Sequence, residues 1–80
     1  MSRTEIEEKL TGIFRNVFDD ESIVLSDSMT ADDIEDWDSL SNIVLITETE
    51  DAFGMKFSMK DLTEIENVGQ LIAIIDNIRR

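Results

Sequence analysis

Ile6, Leu10, Ile13, Phe14, Val17 and Phe18 recur at the three- and four-residue spacing that lines up along one face of an α-helix. This stripe commits the start of the chain to an amphipathic helix, which must bury its apolar side against partners. Signals for any other fold are scarce: proline is absent, and glycine occurs only at Gly12, Gly54 and Gly69. The helix start is legible too, because Ser2 with Glu5 and Thr4 with Glu7 each fit a capping box. With 80 residues there is material for one small core, so residues 1–80 are expected to form one domain.

The stripe breaks down between Asp19 and Asp38, where only Ile23-Val24-Leu25, Met29, Ile34 and Trp37 are candidates for burial. A long loop pinned by those side chains is predicted, with Thr30 and Asp33 starting a single helical turn that carries Ile34 inward. Helical spacing resumes over Ser39 to Phe53, with Leu40, Ile43, Val44, Leu45, Ile46 and Phe53 as its apolar side and Gly54 as its stop. That arc is too wide for one buried stripe, so some of its apolar residues are expected to face outward as a contact surface. Ser58 with Asp61 fits the cap of a short third helix carrying Met59, Leu62 and Ile65. Asn67 with Gln70 fits the cap of a fourth, carrying Val68, Leu71, Ile72, Ile75 and Ile78. The expected fold class is all-α: a small four-helix bundle of three longer helices and one short one, with the long loop between the first and second.

Missing residue types narrow the chemistry. Without cysteine or histidine there are no disulfides, thiolate nucleophiles, Cys/His zinc sites or imidazole acid–base groups. The longest apolar run, Leu71 to Ile75, falls far short of the ~20 residues of a membrane span. No basic-then-apolar leader opens the chain, so a soluble cytoplasmic protein without membrane insertion is expected. Seven basic residues against 19 acidic ones give a net charge of −12. All of that excess lies between Asn16 and Met55, where twelve acids occur with no Lys or Arg. Such a field repels nucleic acid and suits either basic protein partners or a solubilising surface. No acidic window has the ligand spacing and glycine of a calcium loop, and an acid pair for hydrolysis has little room for the required pocket. Ser39 has no histidine to activate it, which excludes a serine hydrolase.

The junction Asp36-Trp37-Asp38-Ser39-Leu40 remains, where the acidic loop meets a helix. A serine hydroxyl at a helix start, beside free backbone N–H groups, suits an attached phosphodiester. On the residues alone the simpler reading is that Ser39 is the N-cap and Trp37 a hydrophobic anchor under the loop.

The triplet Asp38-Ser39-Leu40, heading an apolar-then-acidic helix, resembles the acyl carrier protein family. The resemblance runs through the whole chain: the long first helix and loop, the stretch from Glu48 to Phe53 ending in Gly54, the short third helix, and Asn67-Val68-Gly69 before the last. It implies a carrier and not an enzyme. Ser39 would be the covalent attachment point of 4′-phosphopantetheine, transferred from coenzyme A by a phosphopantetheinyl transferase (holo-acyl carrier protein synthase). Acyl groups would ride as thioesters on the terminal thiol to partner enzymes of fatty acid, polyketide or related lipid synthesis, which explains a chain with no cysteine of its own. Asp38 would flank the site and help the transferase engage it. Leu40, Ile43, Val44 and Thr47 would read partners at short range once Glu48, Glu50 and Asp51 had steered basic docking patches toward a monomeric carrier. The Ile- and Leu-rich composition allows a small expandable apolar cavity for cargo. Two departures point away from bulk fatty acid synthesis: Ser41 and Val44 stand where such carriers commonly have acids, and Trp37 stands where they often have a small residue. The competing reading is an acidic helical adaptor that binds a basic protein without a prosthetic group, which accounts for the charge but not for the serine in that triplet.

Overall fold

The structure, a computed structural model, describes residues 2–78. The first helix, α1 (Arg3–Val17), starts on Ser2: its hydroxyl accepts the Glu5 N–H, and the Glu5 carboxylate reaches back to the Ser2 N–H. It ends in a Schellman turn, with Asp20 N–H donating to Arg15 O at 3.0 Å and Asp19 in the left-handed region at φ 50. The long loop follows and contains the expected turn, a 3-10 helix over Ala31–Asp33 capped by Thr30. Next come α2 (Ser39–Phe53), α3 (Met59–Glu64) and α4 (Val68–Ile78), the all-α bundle of three long helices and one short one read from the sequence. Gly54, at φ 61, closes α2 in the conformation glycine adopts without a Cβ penalty, and Met55 N–H donates back to Glu50 O at 3.1 Å.

The core is built around α1, which packs on both α2 and α4. Ile6, Leu10 and Phe14 of α1 meet Leu45 and Phe53 of α2 and Val68, Leu71, Ile72 and Ile75 of α4, with Phe18, Ile23 and Met55 closing the edges. Each such side chain contributes roughly 1.5–3 kcal/mol of transfer free energy, so the three long helices supply nearly all the stabilisation. Thr49 is also fully buried, and its hydroxyl donates to Leu45 O at 2.7 Å, which removes the cost of burying it. The short α3 contributes no buried residue: Met59, expected on its inner side, is 81% exposed. Six residues give under two turns, and anchoring passes to the half-buried Ile65 just beyond. In the loop, Ile23 is buried and Leu25 half-buried while Val24 points to solvent, because extended backbone alternates its sides.

The loop also supplies the cap of α4. Val68 N–H donates to Met29 O and Gly69 N–H to Asp27 O, each at 2.9 Å, while the Gln70 N–H goes to the Asn67 side chain at 2.8 Å. A Cβ on Gly69 would stand 3.0 Å from both Cβ and O of Asp27, so this helix start requires glycine for close approach. Among the described residues, no helix is long and apolar enough to cross a membrane.

Candidate functional site

The first turn of α2 is organised by Asp38 and Ser41. The Asp38 carboxylate accepts the Ser41 N–H at 2.9 Å, the Ser41 hydroxyl accepts the Asp38 N–H at 2.8 Å, and that hydroxyl donates onward to Asp36 O at 2.8 Å. Asp38, and not Ser39, is therefore the N-cap: a carboxylate one residue earlier reaches the third amide of the helix, leaving Ser39 no capping task. The Ser39 side chain is exposed, and its hydroxyl makes no hydrogen bond among the described residues. Of the helix-start amides expected to suit a phosphate, that of Ser41 is taken by the Asp38 carboxylate. The Ser41 N–H holds the Asp38 carboxyl below the usual carboxylate value against an opposing desolvation, with smaller help from the Ser41 hydroxyl and the Leu40 N–H.

Beside Ser39 a cleft of about 630 Å³ opens between α2 and the α3 side. Ile43 and Ile46 face Leu62 and Ile65 across it, and Trp37 and Asn42 stand with Ser39 in its wall. It is a surface cleft, and the core beneath is filled by the residues of α1, α2 and α4.

On the outward face of α2, Leu40, Ile43 and Val44 are 77%, 64% and 49% exposed, the apolar surface expected from the over-wide arc. Thr47, Glu48 and Asp51 are exposed with them. Glu50 is not part of that face: its side chain is only 16% exposed, accepts the Phe57 N–H at 2.9 Å and lies 4.0 Å from Lys56 Nζ, fastening the turn after α2. Position explains this, because the chain after α2 folds back along Glu50, whose backbone carbonyl also accepts the Met55 N–H at 3.1 Å. Sequence reasoning took Trp37 only as an anchor and gave Asn42 no role. In the structure the indole Nε1–H donates to Asn42 Oδ1 at 3.0 Å, a five-residue reach across a helix cap that no periodicity signals.

With this geometry in view, the family model for the phosphopantetheine attachment site matches residues 8–75. The chain belongs to this family. An acyl carrier protein from Rhodococcus erythropolis is 35% identical over 74 residues, covering 92% of this chain and 74% of the relative. A meromycolate extension acyl carrier protein from Mycolicibacterium smegmatis is likewise 35% identical over 74 residues, covering 92% of this chain and 68% of its own length. Among solved structures, the holo acyl carrier protein of Geobacter metallireducens superposes with a TM-score of 0.85 at 44% identity, over 90% of this chain and 83% of that one. The chain is an acyl carrier, working with acyl-processing enzymes and a phosphopantetheinyl transferase through a phosphopantetheine prosthetic group. The residues fit such a group: an exposed serine hydroxyl without a hydrogen-bond partner among the described residues stands in the wall of a cleft lined also by Ile43, Ile46, Leu62 and Ile65.

Proposed function

We propose that Ser39 is the residue that holds the phosphopantetheine group, with residues 1–80 acting as one carrier domain that is monomeric and performs no catalysis of its own. The observation that carries this reading is the unengaged Ser39 hydroxyl between the capping Asp38 and the exposed Leu40. In the transfer, Ser39 Oγ attacks the coenzyme A phosphorus that bears the pantetheine. The Oγ–P bond forms as the pyrophosphate P–O bond breaks, adenosine 3′,5′-bisphosphate leaves, and the seryl proton passes to a base of the transferase. When bound, the group supplies a terminal thiol for thioester formation. The chain's own residues do the rest. Asp38 fixes the helix start, and Leu40, Ile43, Val44 and Thr47 present a surface that is read once a partner has arrived. Glu48 and Asp51 draw basic docking patches toward that surface, while Glu50 holds the turn behind it. The mid-chain acidity disfavours nucleic acid and suits a carrier moving between basic protein partners in the cytoplasm. The test is direct. Incubated with coenzyme A and a broad-specificity transferase, the purified apo chain should gain the mass of one phosphopantetheinyl group, and Ser39→Ala should gain nothing. A mass gain in Ser39→Ala refutes the assignment, and none in the unmutated chain favours the adaptor reading.

A further inference from the structure

Trp37 joins three parts of the fold immediately before the Asp38-Ser39 pair. Its indole stands edge-on to Phe14 of α1, with ring centroids 5.3 Å apart and planes at 86°, and lies 6.1 Å from Phe18. Its backbone N–H donates to Ile34 O at 3.1 Å, and its Nε1–H reaches Asn42 in the first turn of α2. These contacts close a loop of chain that contains Ser39, and Trp37, Ser39 and Asn42 share one cleft wall. The capping of α2 is complete without this bond, through Asp38 and Ser41. What the bond adds is a tie between a turn that would otherwise fray and an aromatic ring packed against the core.

We propose that Trp37 is a positioning residue for the modification of Ser39, acting through its hydrogen bond to Asn42 to hold the first turn of α2 against α1. The proposal rests on the assignment of Ser39 as the attachment site. In-line attack by Ser39 Oγ on phosphorus depends on where that oxygen sits, and a small displacement of a reacting atom costs far more rate than affinity. Of the docking residues, Leu40 and Val44 lie away from the cleft, whereas Trp37 and Asn42 stand in its wall with Ile43 and Thr47. Losing the pin therefore lowers turnover and leaves docking through Leu40 and Val44 in place.

The experiment uses the full apo chain with coenzyme A and a phosphopantetheinyl transferase. It compares Trp37→Phe, which keeps the ring and loses the donor, Asn42→Ala, which loses the acceptor, and the double variant. Each single variant should lower kcat by about 2- to 10-fold, the range of one neutral hydrogen bond, with KM held within about two-fold. The double variant should be no slower than the slower single one, because both remove the same bond. Thermal unfolding run in parallel keeps the assays on folded protein. If Trp37→Phe does not fold, the indole N–H signal of Asn42→Ala reports the bond by NMR, and it should shift and exchange faster with water. An unshifted signal, unchanged kcat in the folded single variants, losses that multiply in the double, or a defect carried wholly by KM would each overturn the proposal. Ser39→Ala separates the two layers: modification that survives there removes the attachment site itself, whereas Ser39-dependent modification at full kcat in Trp37→Phe removes only the pin.

Discussion

Asp38 and Ser41 cap each other, and this gives a structural reason for one departure from the common carrier pattern. Two positions after Ser39, where the resemblance to carriers of fatty acid synthesis leads one to expect an acid, the Ser41 hydroxyl accepts a hydrogen bond from the Asp38 N–H and donates one to Asp36 O. The capping box is closed by a neutral group, so the only formal charge in it is that of Asp38. Because the native fold lowers the Asp38 pKa beneath its ordinary 3.8, folding favours the ionised form. The resulting stabilisation is complete above the ordinary value and is lost as pH falls through the lower native one. Asp38→Asn keeps an acceptor at the cap but cannot titrate. Thermal unfolding of both proteins from about pH 7 to about pH 3 should show wild type ahead at neutral pH and the difference shrinking once carboxylates protonate. A difference that stays constant across that range would mean that the carboxylate charge has no part in the cap.

Among the elements, the long loop is the one whose role the sequence hides. Its lack of periodicity and its few apolar pins are visible in the residues, and so is the turn at Thr30, because side-chain capping is a local matter. That the loop's backbone would cap α4 is not visible, since carbonyl groups such as Asp27 O and Met29 O carry no residue identity. Gly69 was the one clue. Replacing it with alanine should push a methyl group into Asp27 at 3.0 Å, displace the loop from α4 and destabilise the fold by about 1–3 kcal/mol in chemical denaturation. The Val68 amide and the amide at position 69 should then exchange faster with solvent, and unchanged stability would show that the loop yields freely. The same division between local and tertiary signals runs through the site. The exposed arc of α2 could be read because spacing alone defines it, whereas the triplet at Ser39 stands out only through the resemblance to acyl carrier proteins, the residues alone suggesting an N-cap. The burial of Thr49, the withdrawal of Glu50 and the Trp37–Asn42 bond could not, because each depends on what another element places opposite.

At the scale of the whole molecule, a charge of −12 is carried by a body only 31 × 25 × 22 Å across. Some acids are neutralised locally: Arg3 bonds both Glu7 and Asp27, and Lys56 lies near Glu50. Glu48 and Asp51 have no ion pair among the described residues, although they flank the apolar surface of α2. Unneutralised charge beside an apolar contact surface divides the work of docking. On the function proposed above, the charge would act at long range and set how often a basic partner arrives, while the apolar residues would act on contact and set how long it stays. The double charge reversal Glu48→Lys with Asp51→Lys should therefore slow association with a phosphopantetheinyl transferase that presents a basic docking patch by about ten-fold at low ionic strength, with a much smaller change in dissociation. The gap should close as salt shortens the screening length from ~10 Å at 0.1 M to ~3 Å at 1 M. Leu40→Ala should do the opposite, speeding dissociation at every salt concentration and leaving the association rate nearly unchanged. Stopped-flow association across a salt series tests both: parallel salt dependences for wild type and the charge-reversed chain would mean that the acidic face solubilises the carrier without steering its partners.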